Sequence, residues 1–186
     1  LGGKFDKSFN ESAFNGAQRW AEETGGSFNE VELQSDAQRE QALRRFAEAG
    51  ANPIVMAGFA FASSLSEVAA DYPDTKFAVI DVNWVDMPNV RGIGFKEEQG
   101  SYLVGMAAGL ASESGTVSFV GGMDIPLIRH FACGYVQGVK ATNPNAEVYQ
   151  NMTGSTPSAW NDPAKGAELA QSQIDRGADV VYHAAG

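Results

Sequence analysis

The chain has 186 residues, 44% hydrophobic and 19% charged, which excludes a disordered polypeptide and leaves room for one domain or two small ones. Its net charge of −10 and its dispersed Lys and Arg residues exclude a nucleic-acid surface, which needs clustered cations to neutralise phosphates. A single cysteine, Cys133, excludes an internal disulfide, and no apolar run approaches the roughly 18 residues that cross a bilayer.

In chain order, Gly2-Gly3 predicts a tight turn. Asp6, Ser8 and Asn10 then offer helix-capping side chains, and Ser8-x-x-Glu11 has capping-box spacing. Ala13, Ala17, Trp20 and Ala21 recur on one face of the helix that follows, which Gly25-Gly26 ends. Phe28, Val31 and Leu33 suggest a short strand. Ser35-x-x-Gln38 caps a helix carrying Leu43, Phe46 and Ala47, closed by Gly50. Pro53 to Ala57 reads as a strand buried on both faces. Ser64-x-x-Glu67 predicts the cap of a third helix with Leu65, Val68, Ala69 and Tyr72 inward, stopped before Pro73. Strands follow at Phe77 to Ile80 and Val90 to Phe95.

The second half repeats the rhythm. A glycine-rich helix spans about 98–112, with Leu103, Met106, Ala107 and Leu110 as its apolar set and Gly105 and Gly109 permitting close packing. Thr116 to Val120 is a strand, and the next helix carries Ile125, Ile128, Ala132, Val136 and Val139. Val148 to Met152 is a strand. Asp162-Pro163 places a cap and an N1 proline on the last helix, and Asp179 to His183 is the closing strand.

Strands alternating with helices imply parallel sheets flanked by helices, an α/β fold. The repetition predicts two lobes, residues 1–94 and 95–186, joined near Gly94–Glu98. Glu97 and Glu98, adjacent in sequence, point in different directions and make no acid/base pair. His130 and His183 lie far apart in sequence, without metal-ligand spacing. Gly92-x-Gly94 lacks the third glycine of a dinucleotide fingerprint, and neither a nucleophile elbow nor a phosphate-binding P-loop is present. No cofactor is expected.

Gly2-Gly-Lys-Phe-Asp-Lys-Ser-Phe-Asn10, followed by Ala13 and Gly16, resembles the entry motif of the basic membrane protein family. These are extracytoplasmic solute-binding lipoproteins of ABC transporters, many of them purine nucleoside receptors. The resemblance continues in Phe77-Ala-Val-Ile-Asp81, in Gly94-Phe-Lys-Glu-Glu-Gln-Gly-Ser-Tyr-Leu-Val-Gly-Met-Ala-Ala-Gly109, in Gly121-Gly122 and in Gly177-Ala-Asp-Val-Val. It implies the type I periplasmic-binding-protein architecture, two lobes closing on a small ligand, and no catalysis. A nucleoside ligand, a membrane permease as partner, an extracytoplasmic location and a lipid anchor upstream of Leu1 follow from the same resemblance. Against the family pattern the chain reads as the middle of a protein, with the first strand reduced to Leu1 and the second lobe about half present, so an open sheet edge is expected.

Ligands of parallel α/β sheets gather at the carboxyl ends of strands. That rule selects Ser8, Phe9 and Asn10 after the family's first strand, and Met56, Gly58 and Phe59 around the end of the 53–57 strand. It also selects Asp81, and Tyr182 with His183 at the end of the last strand. For a nucleoside, Phe9 is the candidate base platform and Asp81 the candidate polar contact. Each has an ordinary alternative. Phe9 can staple the helix start, Asp81 can cap a turn, and Asp6 and Asn10 can simply cap the helix. Trp160 is a lid or a hinge-packing ring, Tyr182 a cleft or core residue, and His183 a ligand contact or a satisfied histidine. An α/β enzyme acting on a nucleotide or sugar, or a sensory ligand-binding domain, are the rival functions.

Overall fold

A computed structural model describes residues 3–35 and 37–185; Leu1 and Gly2, with part of the expected entry turn and first strand, lie outside them. The chain forms two compact units, one ending at Phe95 and the other starting at Lys96.

The first unit contains helix α1 (Phe9–Thr24), helix α2 (Gln38–Glu48), strand β1 (Ile54–Ala57), helix α3 (Ala62–Asp71), strand β2 (Phe77–Ile80) and strand β3 (Val90–Ile93). Its sheet is parallel in the order β1-β2-β3, with Ile54 opposite Phe77 and Phe77 opposite Val90. Leu43, Ile54, Met56, Leu65, Val68, Phe77, Val79 and Val82 form its core. Asn89 is buried beneath α3, and its side-chain amide serves the carbonyls of Ala69, Tyr72 and Thr75 at 2.9, 3.0 and 3.2 Å. One of them, the Ala69 carbonyl, lies in the last turn of α3, where the helix end leaves acceptors without an intrahelical donor.

Several local expectations are corrected here. Residues 28–33 form no strand, because no neighbouring strand offers them a hydrogen-bonding ladder among the described residues. They are tied to α1 by side chains instead: Phe14 meets Phe5 and Phe28 edge-on at 6.0 and 6.1 Å, and Trp20 lies against Gly26. Helix α1 has no fully buried residue, and Trp20 stays half exposed. Strand β1 is buried on one face only, with Ile54 and Met56 inward and Val55 61% exposed, since α2 and α3 pack on the inward face. Helix α3 starts at Ala62, after a 3-10 turn over Phe59–Phe61, so Ser64 sits inside the helix and caps nothing.

The second unit contains helix α4 (Glu97–Ala111), strand β4 (Thr116–Met123), helix α5 (Pro126–Thr142), strand β5 (Glu147–Gly154), helix α6 (Pro163–Asp175) and strand β6 (Val180–Ala184). Its sheet is parallel in the order β5-β4-β6, with Thr116 opposite Glu147 and Val117 opposite Val180. Val117, Phe119, Ile128, Ala132, Tyr135 and Val139 centre the core. Asp162 caps α6 as expected, accepting from the Lys165 N–H at 2.9 Å.

Helices α4 and α5 approach until their backbones nearly touch. A β-carbon on Gly105 would stand 2.1 Å from the Tyr135 carbonyl oxygen, and one on Gly138 would stand 2.0 Å from that of Tyr102. This glycine seam turns Ser101, Gly105, Ala108 and Gly109 inward. Leu103 and Leu110, expected inside, are therefore 67% and 73% exposed.

Candidate functional site

In the first unit the entry loop is organised by one carboxylate. Asp6 Oδ1 accepts from the N–H groups of Ser8 (2.9 Å) and Glu11 (3.2 Å), and Oδ2 from the Asn10 backbone (3.1 Å) and side-chain amide (2.8 Å). Burial pushes the Asp6 carboxyl up, but the bonds from Asn10, Glu11 and Ser8 outweigh it and hold the group below its ordinary range. The expected Ser8 cap is corrected: Ser8 precedes α1 but makes no side-chain cap bond, and Glu11 instead reaches back to the Lys7 N–H at 2.9 Å. The N–H groups of Asn10 and Glu11, which a Ser8 cap would serve, already donate to Asp6. With four donors already on it, Asp6 shapes the loop that presents Ser8, Phe9 and Asn10.

Phe9, the first residue of α1, is 37% exposed. Its ring edge faces Gly58, where a β-carbon would stand 3.9 Å from Phe9 Cε1. Gly58 leaves the carboxyl end of β1 with φ 108° and donates its N–H to the Ile80 carbonyl at 3.2 Å. The residue that follows β2 is Asp81, half-buried, with φ 64° and its N–H bonded to the Ile93 carbonyl at 2.8 Å. Phe9, Gly58 and Asp81 thus gather at one end of the sheet. Phe59 turns to pack on the core, and Met56 is 3% exposed within it.

In the second unit, Trp160 lies in a 3-10 turn over Pro157–Asn161. Its ring covers the end of β4 so closely that a β-carbon on Gly122 would stand 2.3 Å from Trp160 Cζ3. The Thr153 hydroxyl, at the end of β5, donates to the Ala159 carbonyl at 2.8 Å and fixes this turn. Strand alternation separates the last two candidates. Tyr182 packs on Phe119 and Tyr135, with its hydroxyl 3.2 Å from Ser101 Oγ. His183 is exposed and lines a hollow of about 350 Å³ with Val120, Thr153, Asn161, Gly166 and Val181. Thr153 and Asn161 escaped the sequence reading, although Thr153 sits at a strand end where the carboxyl-edge rule applies.

A family model described as "ABC transporter substrate-binding protein PnrA-like" (Bmp) matches residues 2–186. The chain belongs to this Bmp family. Within reach of the match is a CD4+ T-cell-stimulating antigen of Listeria monocytogenes, 35% identical over 100% of this chain and 52% of the relative. An ABC transporter nucleoside-binding protein, BmpA, of Lactococcus lactis is 30% identical over 97% of the chain and 52% of the relative. The chain spans about half the length of the curated relatives it matches. A solved solute-binding protein of an ABC transporter system from Aeropyrum pernix superimposes with a TM-score of 0.88 at 33% identity, covering 100% of this chain and 53% of that one. The Bmp chain accordingly has the α/β, type I periplasmic-binding-protein fold, with parallel sheets flanked by helices. No helix is long and apolar enough to cross a membrane among the described residues.

Proposed function

We propose that this chain serves as the ligand-holding part of an extracytoplasmic solute receptor whose ligand is a purine nucleoside, delivered to an ABC permease. The observation that carries the reading is the approach of Phe9 to Gly58 at the carboxyl end of β1, with Asp81 at the carboxyl end of the neighbouring β2. A half-exposed ring supplies a face for a base, and stacking there is worth roughly 1–3 kcal/mol. A glycine beside it lets a planar ligand approach the backbone. A carboxylate one strand over accepts from a vicinal diol through charge-assisted hydrogen bonds. Ser8 and Asn10, presented by the Asp6-bound loop, add polar groups at the same helix start. Trp160 is the aromatic candidate of the second unit. The name of the Lactococcus lactis relative supports the same ligand class.

Calorimetric titration with inosine, guanosine and adenosine, beside ribose and galactose, tests the reading. Saturable binding of one nucleoside, recovered unchanged by chromatography, is the expected result. Release of free base in proportion to protein would point to an enzyme, and binding of the sugars in preference to every nucleoside would overturn the ligand class.

A further inference from the structure

The start of α4 and the second turn of α5 bring three metal-binding side chains together outside the site described above. One carboxylate oxygen each from Glu97 and Glu98 and one ring nitrogen of His130 all lie within 4.8 Å of one another. The adjacency of Glu97 and Glu98 in sequence suggested divergence. The first helical turn instead lets both carboxylates reach the same side, toward α5.

His130 is delivered there by the glycine seam. A β-carbon on Gly134, one turn further along α5, would stand 2.1 Å from the Glu98 carbonyl oxygen, so the two backbones are in contact at this level. The three groups therefore hang from two helices locked together, and their spacing is a property of the packing. Neither glutamate forms an ion pair within 4.0 Å among the described residues.

We propose that Glu97, Glu98 and His130 form a site for a divalent transition-metal ion of the zinc class, clamping the first turn of α4 to α5. Ligands about 2.0–2.2 Å from such an ion stand roughly 3–4 Å apart, so small rotations of the exposed side chains close the set. One imidazole with two carboxylates suits zinc, nickel or copper, whereas magnesium and calcium favour oxygen-only shells. The outer positions are open to solvent, because Glu98 and His130 are exposed. Binding to the folded form alone raises its stability by mass action.

Zn²⁺ titration of chelator-treated protein should give one equivalent bound and a melting temperature that rises with Zn²⁺. Cu²⁺ should give an electron paramagnetic resonance signal with a single nitrogen coupling. His130→Gln should abolish that coupling and the thermal shift, and Glu97→Gln should weaken both. Melting of each metal-free variant checks that the fold is kept, and His183→Gln, altering the other histidine, should leave the nitrogen coupling in place. Equal Zn²⁺ binding by parent and His130→Gln, or displacement of Zn²⁺ by equimolar Ca²⁺, would overturn the proposal and leave only an acidic surface.

Discussion

Phe9 and Gly58 face each other across the end of β1, with 3.9 Å between Phe9 Cε1 and the place a Gly58 β-carbon would take. The contact is of ordinary van der Waals length, so room alone does not demand glycine. The backbone does: Gly58 has φ 108° and ψ 148°, a region essentially reserved to glycine. Gly58→Ala should therefore cost about 1–3 kcal/mol of stability through strain. Chemical denaturation of parent and variant measures it.

Phe9 itself, 37% exposed, should behave as a binding residue and not as a core residue. Phe9→Ala should weaken nucleoside binding by roughly 5- to 150-fold, the equivalent of about 1–3 kcal/mol of stacking. Its ligand-free melting temperature should fall little. Phe9→Tyr and Phe9→Trp should retain most of the affinity. The reverse pattern, a lower melting temperature with affinity unchanged, would make Phe9 a staple of the helix start.

At Asp81 the side chain and the backbone can be separated. Its φ of 64° places a non-glycine residue in the left-handed region. Asp81→Ala and Asp81→Gly both remove the carboxylate, so both should lose nucleoside affinity. The glycine variant should be the more stable of the two by about 1 kcal/mol, because only alanine retains the steric cost of that conformation. Paired titrations and melts read the two effects independently.

The seam between α4 and α5 predicts opposite signs for glycines of the same helix pair. Gly138→Ala would drive a β-carbon to 2.0 Å from the Tyr102 carbonyl oxygen, and the forced separation should cost at least about 1–3 kcal/mol. Gly100, on α4, has nothing within 4 Å of its would-be β-carbon. Gly100→Ala should stabilise the helix by roughly 0.5–1 kcal/mol. Equal effects of the two substitutions on denaturation would contradict the seam.

Asp179 sets an acid limb. Its carboxylate accepts from the Ser112 hydroxyl and from the N–H groups of Glu113 and Ser114, each at 2.7 Å. The Ser112 bond foremost, then the Ser114 backbone bond, lower its pKa from 3.8 to about 2. A carboxylate depressed in the folded state contributes stability above its unfolded value, and that contribution fades as pH falls through the folded one. Melting temperatures of the parent should decline between pH 3.8 and about 2 more steeply than those of Asp179→Asn. Parallel pH profiles of the two proteins check this, and the difference should be small because the group is solvent-screened.

Much of the architecture was legible in the chain, because its signals are local. Apolar runs at 54–57, 77–80 and 116–120 are short and bounded by turn residues, and they became strands of parallel sheets. Asp162-Pro163 marked a helix start that the structure keeps, since a cap and an N1 proline act within one turn. The motif residues Phe9 and Asp81 were likewise visible at predicted strand and helix ends. What the sequence by itself left open depends on which surfaces meet. Phe28, Val31 and Leu33 have strand-like chemistry but no ladder partner among the described residues, and a strand is a property of two segments. Leu103 and Leu110 are apolar yet face outward, because backbone contact through Gly105, Gly134 and Gly138 fixes the rotation of α4. Tyr182 and His183 are neighbours in sequence and part company across the sheet, one to the aromatic core and one to the hollow beside α6. Tertiary packing alone placed Gly58 against Phe9 and His130 against Glu97 and Glu98, because residues 32 to 49 positions apart meet only when whole helices and strands dock.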